Sequence, residues 1–349
     1  MAHARAVPCG RHWHRKHCNN VTQLDFLYYR NHKEYGMNTL RTILLTACCL
    51  LLLAAGFSFA KDAKSIPLAT PQGNINVPVN PARVVVMDFG MLDTLDALKA
   101  AGAIQHEVAV ALPKANLPSY LSRYKAEGYV DVGGLKDFNL ETIYAFKPDL
   151  IITSARQQDF YKELSSIAPV WQVNNMPADY VPGVAQNIRD MGAVFSAGSQ
   201  VDKALEDIDA AILKVRHAAE EQNLKALILL TNDGKISAYG SGSRFGIIHD
   251  AMGIGQADPD IKVGLHGQMV NYEYIAAKDP DIIFVVDRSA AVSGKADGAR
   301  ILDNDLVNGT KAARNGRIIA LDPNVWYLSG GGLQSLGMMV SEIQAALKK

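Results

Sequence analysis

Two stretches of the sequence repeat one pattern, "LETIYAFKPDLIITSAR" at residues 140–156 and "YEYIAAKDPDIIFVVDR" at residues 272–288. In each, a short helical segment is followed by a Pro-Asp turn, an apolar strand and an arginine. The second copy begins 132 residues after the first, which is too long for a solenoid repeat and typical of one domain. The sequence therefore predicts a duplicated α/β unit.

The segments that precede the two copies predict the same architecture in both halves. In the first half, strand-like "RVVVMDF" (83–89) leads into the helical pattern "LDTLDALKAAG" (92–102). In the second half, strand-like "ALILLT" (226–231) leads into a hairpin turn, "NDGK" (232–235). Because strands alternate with helices, we expect mostly parallel sheets.

A long amphipathic helix is predicted between the halves. Residues 199–223 contain no Gly or Pro, and their apolar residues recur at steps of four and three: Val201, Leu205, Ile208, Ile212 and Val215. We therefore predict the α/β class, with two Rossmann-like lobes at residues 61–198 and 224–349 joined by a single long helix at 199–223. A stiff helix limits how far the lobes can move relative to each other.

Three arginines are candidates for ligand binding. Ligands bind beyond the carboxyl ends of parallel strands, so Arg156 and Arg288, one after each repeated strand, are predicted to face a cleft between the lobes. The alternative is that each forms a local ion pair at the surface. Arg244 lies in a glycine-rich turn, "GSGSRFG" (240–246), that opens a helix, a position that favours anions.

The glycines of "VWYLSGGG" (325–332) fit neither a P-loop nor a dinucleotide-binding loop. We interpret them as a turn that presents Tyr327. Only His106, His217, His249 and His266 remain after residue 60, so a multi-histidine metal site is not favoured. His266 lies between glycines in "GLHG" (264–267), where its side chain is displayed.

The N-terminal region has the pattern of an export signal. From Met37 the chain has one arginine, an apolar run over residues 43–57 and a small-x-small motif before Lys61, so we predict a signal peptide at 37–60. "LTAC" (45–48) resembles a lipoprotein acylation box, the alternative, but it lies too early in the apolar run. Residues 1–36 are interpreted as an unused upstream extension.

Composition excludes several classes of protein. Residues 1–60 hold seven Lys/Arg and two Asp/Glu, which leaves 28 basic and 33 acidic residues and a net charge of −5 for the remainder. Nucleic acid is therefore not an expected partner. All four cysteines precede residue 61, so the exported part needs no disulfide. The nucleophile elbow and H-E-x-x-H motifs are absent, and no enzyme activity is predicted.

Four stretches closely resemble periplasmic binding proteins for ferric catecholate siderophores of the enterobactin, vibriobactin and petrobactin type. They are "DFGMLDTLDAL", "AYGSGSRFGIIHD", "HGQMVNYEYIAAKDPDIIFVVDR" and "WYLSGGG". The similarity extends from about residue 66 to the C-terminus. It implies the class III periplasmic binding protein fold and delivery of an iron complex to the permease subunits of an ABC transporter.

The resemblance also assigns roles to individual residues. It implies that Arg156, Arg244 and Arg288 surround the catecholate oxygens. His266 and Tyr327 would complete the coordination of Fe(III) when the siderophore supplies only four oxygens. Hard Fe(III) prefers oxygen donors, and arginine suits a multiply anionic chelate.

The resemblance further implies that Glu141 and Glu273, repeat partners in the two lobes, dock the permease subunits. Exposed glutamates without such a role are the alternative. We expect a monomeric periplasmic protein without an intrinsic cofactor, whose cargo is an Fe(III)-siderophore. A binder of haem or cobalamin on the same fold remains an alternative, as does an exported siderophore hydrolase.

Overall fold

The computed structural model describes residues 64–174, 180–264 and 266–348. The predicted signal peptide at 37–60 and the extension at 1–36 lie outside these residues. The strands are β1 (Ser65–Thr70), β2 (Gly73–Pro78), β3 (Arg83–Val86), β4 (Ala109–Leu112), β5 (Val130–Asp131), β6 (Leu150–Thr153), β7 (Val170–Gln172), β8 (Lys225–Asn232), β9 (Lys235–Tyr239), β10 (Gly255–Gln256), β11 (Gln268–Val270), β12 (Ile282–Asp287) and β13 (Ile318–Leu321).

The α-helices alternate with these strands. They are α1 (Phe89–Ala100), α2 (Leu140–Phe146), α3 (Tyr161–Ser165), α4 (Tyr180–Val194), α5 (Gly198–Gln222), α6 (Ile247–Asp250), α7 (Tyr272–Lys278), α8 (Arg288–Ser293), α9 (Gly298–Leu302), α10 (Asp305–Asn308), α11 (Lys311–Arg314) and α12 (Leu333–Ala346). Within the described residues, no helix combines the length and hydropathy that crossing a membrane requires.

Two separate sheets form the centres of the two lobes. The first has the order β5-β4-β3-β6-β7, and all its pairs are parallel. The second has the order β11-β9-β8-β12-β13, with β10 beside β8. Its β8, β12 and β13 run parallel, whereas the hairpin strand β9 is antiparallel to its neighbours. Two Rossmann-like lobes of mostly parallel strands are therefore confirmed.

The repeated sequence motif forms the same local structure in both lobes. Strands β6 and β12 each pair with the first long strand of their sheet, β3 and β8. The aspartate side chain of each Pro-Asp turn accepts a hydrogen bond from the first backbone N–H of that neighbouring strand. Asp149 Oδ2 accepts the Arg83 N–H at 2.9 Å, and Asp281 Oδ2 accepts the Lys225 N–H at 2.9 Å. The turn therefore sets the strand register in each lobe.

Helix α5 is the only helix that leads from the first sheet to the second within the described residues. Val201, Leu205, Ile212 and Val215 on its predicted apolar face are buried. They belong to a continuous core cluster that includes side chains of both sheets. Each such side chain stabilises the fold by about 1.5–3 kcal/mol, so the connector is held against both lobes.

The last helix crosses back to the first lobe. Helix α12 packs against α1 and α5, although the sequence-based division places residues 333–346 in the second lobe. Its buried Leu336, Met339, Val340 and Ile343 lie at helical spacing on the face that joins the core. The chain therefore connects the lobes twice, through α5 and through the approach to α12.

Candidate ligand-binding site

Arg156 and Arg288 occupy equivalent positions beyond the repeated strands. Ser154 follows β6 and caps the short 3-10 helix Ala155–Phe160, which begins one residue before Arg156. Asp287 ends β12 and caps α8, accepting the Ala290 N–H at 3.0 Å. Each arginine therefore starts from a capped turn at the carboxyl edge of its sheet, where the strand rule places a ligand site.

A compact turn holds Arg244 in the second lobe. The carboxylate of Asp250 accepts the Gly242 N–H at 2.8 Å, and the Ser243 hydroxyl donates to the Gly240 carbonyl at 2.6 Å. Gly242 has a φ of +69°, and a Cβ on Gly246 would lie 2.5 Å from an Asp250 carboxylate oxygen. The glycines therefore allow the chain to fold tightly around Asp250 while the Arg244 side chain extends outward.

Tyr327 lies in a single π-helical turn, Asn324–Leu328. The preceding Trp326 is buried, and its indole N–H donates to Glu342 Oε2 at 2.6 Å. The Tyr327 side chain, by contrast, is partly exposed. Such π turns occur often at functional sites.

All three arginines meet at Tyr327. Arg156 Nη2 and Arg244 Nη2 donate to its carbonyl oxygen at 3.2 and 3.0 Å. Arg288 Nε donates to its hydroxyl at 2.7 Å, and the Arg244 guanidinium carbon lies 4.6 Å from its ring centre. Arg156 comes from the first lobe and the other two from the second. Three guanidinium groups from both lobes therefore contact Tyr327, Arg244 and Arg288 at its phenol ring and Arg156 at its backbone carbonyl.

The local charges favour an anionic ligand. Among the described residues, no salt bridge joins Arg156 or Arg288 to a carboxylate. The positive charge of Arg156 acts on Asp88, a buried carboxylate that caps α1. Burial raises the pKa of Asp88, and the charge of Arg156 opposes that rise. A multiply charged oxygen ligand could pair with these planar donors.

His266 forms no hydrogen bond with the four residues above. Its side chain is exposed on a turn that the Gly267 N–H closes by donating to the Gly264 carbonyl at 3.1 Å. Among the described residues, its side chain makes no hydrogen bond or ion pair. The preceding Leu265 lies outside the described residues. The structure therefore brings together Arg156, Arg244, Arg288 and Tyr327, while His266 lies on a separate, exposed turn.

Sequence reasoning missed Asn232, which positions Arg288. Asn232 ends β8, and its Oδ1 accepts a hydrogen bond from Arg288 Nη1 at 2.6 Å. With the bond from Nε to Tyr327, two of the five guanidinium N–H groups are committed within the protein. The strand-end rule could have found Asn232, because it lies at the same edge of the sheet as Arg288.

A buried polar contact that the sequence did not indicate joins Tyr120 and Asp93 of the first lobe to the residues that follow Tyr327 in the chain. The Tyr120 hydroxyl lies 2.7 Å from both Asp93 Oδ2 and Ser329 Oγ. The Asp93 carboxylate also accepts the N–H groups of Gln334 and Ser335, each at 2.7 Å, at the start of α12. Burial raises the pKa of Asp93 to about 7, although these hydrogen bonds oppose the rise.

The glycine run has a packing role in addition to the predicted presentation of Tyr327, because it allows α12 to approach α1. A Cβ on Gly332 would collide with the Gly90 carbonyl oxygen and lie 2.5 Å from Asp93 Cγ. Gly331 has a φ of +108°, which disfavours other residues. The run is therefore a packing requirement between segments far apart in sequence.

Glu141 and Glu273 occupy matching surface positions. Each lies in the first turn of its short helix, α2 or α7, and each is exposed. The helices are capped alike, because Asn139 and Asn271 accept backbone N–H groups at 2.9 Å. The duplication therefore presents one acidic side chain per lobe on equivalent helices.

These features define a two-lobed binding protein. Residues 84–325 match the family described as periplasmic binding protein, and the chain belongs to this family. Two α/β lobes joined by α5 give it the class III fold of these proteins.

The chain is similar to several characterised relatives. It is 40% identical over 294 residues to the petrobactin-binding protein YclQ of Bacillus subtilis, which covers 84% of this chain and 91% of YclQ. The YclQ crystal structure matches with a TM-score of 0.78, at 42% identity, over 82% of this chain and 99% of that chain.

Two further relatives come from Vibrio. The ferric-anguibactin-binding protein FatB of Vibrio anguillarum is 31% identical over 320 residues, which cover 88% of this chain and 97% of FatB. The crystal structure of the periplasmic catecholate-siderophore binding protein VctP from Vibrio cholerae has a TM-score of 0.74 at 30% identity. It covers 81% of this chain and 100% of that chain. The resemblance to siderophore-binding proteins is confirmed, and these relatives are binding proteins rather than enzymes.

Proposed function

We propose that this protein captures a ferric catecholate siderophore between its lobes and delivers it to an inner-membrane ABC transporter. The observation that carries the proposal is the convergence of Arg156, Arg244 and Arg288 on Tyr327. The relatives named for petrobactin and for catecholate siderophores support this ligand class. Iron is part of the cargo, so in this function the protein holds no resident cofactor and catalyses no reaction.

Charge complementarity supplies recognition in this proposal. A ferric catecholate is multiply anionic, so burying it without counter-charges is costly. Planar guanidinium groups can donate two N–H bonds at once to adjacent catecholate oxygens. Because the three cations lie together at the cleft, they also attract the chelate over a distance and speed its capture at low ionic strength.

Direct coordination adds to recognition when the siderophore leaves two iron positions open. Tyr327 would supply a phenolate oxygen, which suits hard Fe(III), and His266 would supply an imidazole nitrogen. Tyr327 already contacts the arginines, whereas His266 is on a separate, exposed turn. Coordination by both would therefore bring that turn toward the chelate.

We propose that the protein acts in the periplasm. Relatives of this chain include periplasmic and lipoprotein-type binding proteins. We propose that residues 37–60 export the protein, that it is released as a monomer, and that it meets the permease through both lobes.

Ligand competition and product analysis test this function. We expect a synthetic ferric bis-catecholate to quench the fluorescence of buried Trp171 and Trp326 at lower concentrations than haem or cobalamin. Mass spectrometry after prolonged incubation is expected to recover the siderophore intact. Tighter binding of haem or cobalamin would contradict the catecholate assignment, and cleavage of the siderophore would indicate an enzyme.

Reversing the charges of Glu141 and Glu273 together is expected to abolish transport while binding is unchanged. Both carboxylates are exposed in the first turns of their helices, and the hydrogen bonds of the arginines to Tyr327 and Asn232 do not involve them. The double variant Glu141→Arg and Glu273→Arg therefore reverses two docking charges and leaves these contacts in place. Siderophore-stimulated ATPase activity of the reconstituted transporter is expected to fall at least tenfold, because like charges across an interface cost several kcal/mol.

The exposed Glu163 on α3 offers a matched control. Glu163→Arg carries the same type of change on the first lobe and is expected to leave stimulation within twofold. Full stimulation by the double variant would show that the paired glutamates are not the docking residues.

A further inference from the structure

Tyr239 is a buried tyrosine whose hydroxyl has no partner in the described protein. It ends β9, has an exposed fraction of 3%, and packs edge-to-face on Phe245 with ring centres 4.9 Å apart. No described residue forms a hydrogen bond with its hydroxyl. Buried tyrosine hydroxyls are normally hydrogen-bonded, so this hydroxyl has an unused donor and acceptor.

The hydroxyl is not sealed inside the core. The fully enclosed, unpartnered side-chain atoms among the described residues are Asp96 Oδ1, Thr231 Oγ1 and Asp297 Oδ1, and the Tyr239 hydroxyl is not one of them. The small exposed part of the side chain therefore includes its polar end. A hydroxyl that opens to solvent while its ring is buried can bind a ligand without moving.

The surroundings of Tyr239 connect the two parts of the candidate site. The turn that carries His266 rests on the hydroxyl end of the ring, because a Cβ on Gly267 would lie 2.7 Å from Cε2 and 2.8 Å from Cζ. The ring also packs on Phe245, whose ring centre lies 5.0 Å from the guanidinium carbon of Arg244. Burial raises the pKa of Tyr239, and the charges of Arg244 and Arg288 oppose that rise. Tyr239 therefore contacts the turn that carries His266 and the aromatic ring that lies beside Arg244.

We propose that Tyr239 is a further ligand-binding residue, whose hydroxyl donates a hydrogen bond to an iron-bound catecholate oxygen of the chelate. This inference rests on the proposed function. Iron-bound catecholate oxygens are strong acceptors, and a rigid, neutral donor beside the His266 turn adds direction to a site otherwise governed by charge. Gly267 keeps the turn close enough to shape this contact, and its φ of +68° is the left-handed conformation that glycine permits.

The test compares Tyr239→Phe with Tyr144→Phe in the purified protein. Tyr144 is 69% exposed on α2, so its variant controls for loss of a hydroxyl outside the cleft. Binding is measured with two probes, a tetradentate ferric bis-catecholate and a hexadentate ferric tris-catecholate. We expect Tyr239→Phe to weaken both by about 10- to 100-fold, the effect of one hydrogen bond to a charged acceptor, with Tyr144→Phe unchanged.

The melting temperature of Tyr239→Phe is expected to match the wild type, since the removed hydroxyl has no protein partner among the described residues. Wild-type affinity for both probes would overturn the inference and leave the hydroxyl merely hydrated. Weakening confined to the tetradentate probe, with a shifted visible absorption band, would also overturn it, because Tyr239 would then be an iron ligand. If the wild-type protein binds neither probe, the proposed function itself fails.

Discussion

Arg288→Ala is expected to weaken the binding of a ferric bis-catecholate by about 30- to 1,000-fold. Removing one partner of a desolvated charge pair costs about 2–4 kcal/mol, which corresponds to this range. Arg288 also donates from Nε to the Tyr327 hydroxyl at 2.7 Å and from Nη1 to Asn232 at 2.6 Å. The substitution therefore removes a ligand charge and the group that orients Tyr327.

Two companion variants separate these effects. Arg300→Ala removes an arginine of the same lobe whose side chain is 78% exposed, and it is expected to leave affinity within twofold. Arg288→Lys keeps the charge but lacks the planar fork, so we expect an intermediate loss. Affinity is measured by fluorescence quenching at two salt concentrations. Equal affinities for Arg288→Ala and Arg300→Ala would contradict the proposed role of Arg288.

Gly332→Ala is expected to lower the free energy of unfolding by about 3 kcal/mol, at the upper end of overpacking effects. The added methyl would meet the Gly90 carbonyl and Asp93 Cγ, both on helix α1. The first is backbone, and the second belongs to a buried carboxylate that three hydrogen bonds hold in place. The methyl would also disturb the two hydrogen bonds that the backbone N–H groups of Gln334 and Ser335 donate to Asp93. Thermal unfolding should show a decrease in Tm of about 5–10 °C.

Gly337→Ala in the same helix is the matched control. A methyl group at this position would meet no atom within 4 Å, and the φ of Gly337 is not positive. Alanine in a helix interior is expected to stabilise the protein by about 0.5–1 kcal/mol. If the two alanine variants had the same Tm, the close approach of α12 to α1 would be wrong.

The duplicated motif made much of the fold predictable. The Pro-Asp turns and apolar strands recur with their arginines, and in the structure Asp149 and Asp281 fix the starts of neighbouring strands. The buried face of α5 was also predictable, because its buried residues recur with the period of an α-helix. Local patterns therefore identified the sheets, the connector and the strand-end positions of Arg156 and Arg288.

Contacts between distant segments were not predictable from local patterns. Gly332 is constrained by Gly90, and Asp93 binds N–H groups about 240 residues later in the chain. The packing of α12 on the first lobe depends on these contacts, so a division of the sequence at one linker misses it. Tyr239 was missed for a related reason, because its burial and its unpartnered hydroxyl appear only when β9 and the Gly267 turn come together.

We propose that Tyr327, which contacts three arginines, binds the iron of a ferric catecholate. A titration of wild-type protein and Tyr327→Phe with a ferric bis-catecholate, followed by the visible charge-transfer band and by fluorescence, tests this directly. We predict that wild type binds tightly with a shifted band, and that Tyr327→Phe binds through its arginines without the shift. An identical shift in both proteins would contradict iron coordination by Tyr327, and no binding by the wild type would contradict the siderophore assignment.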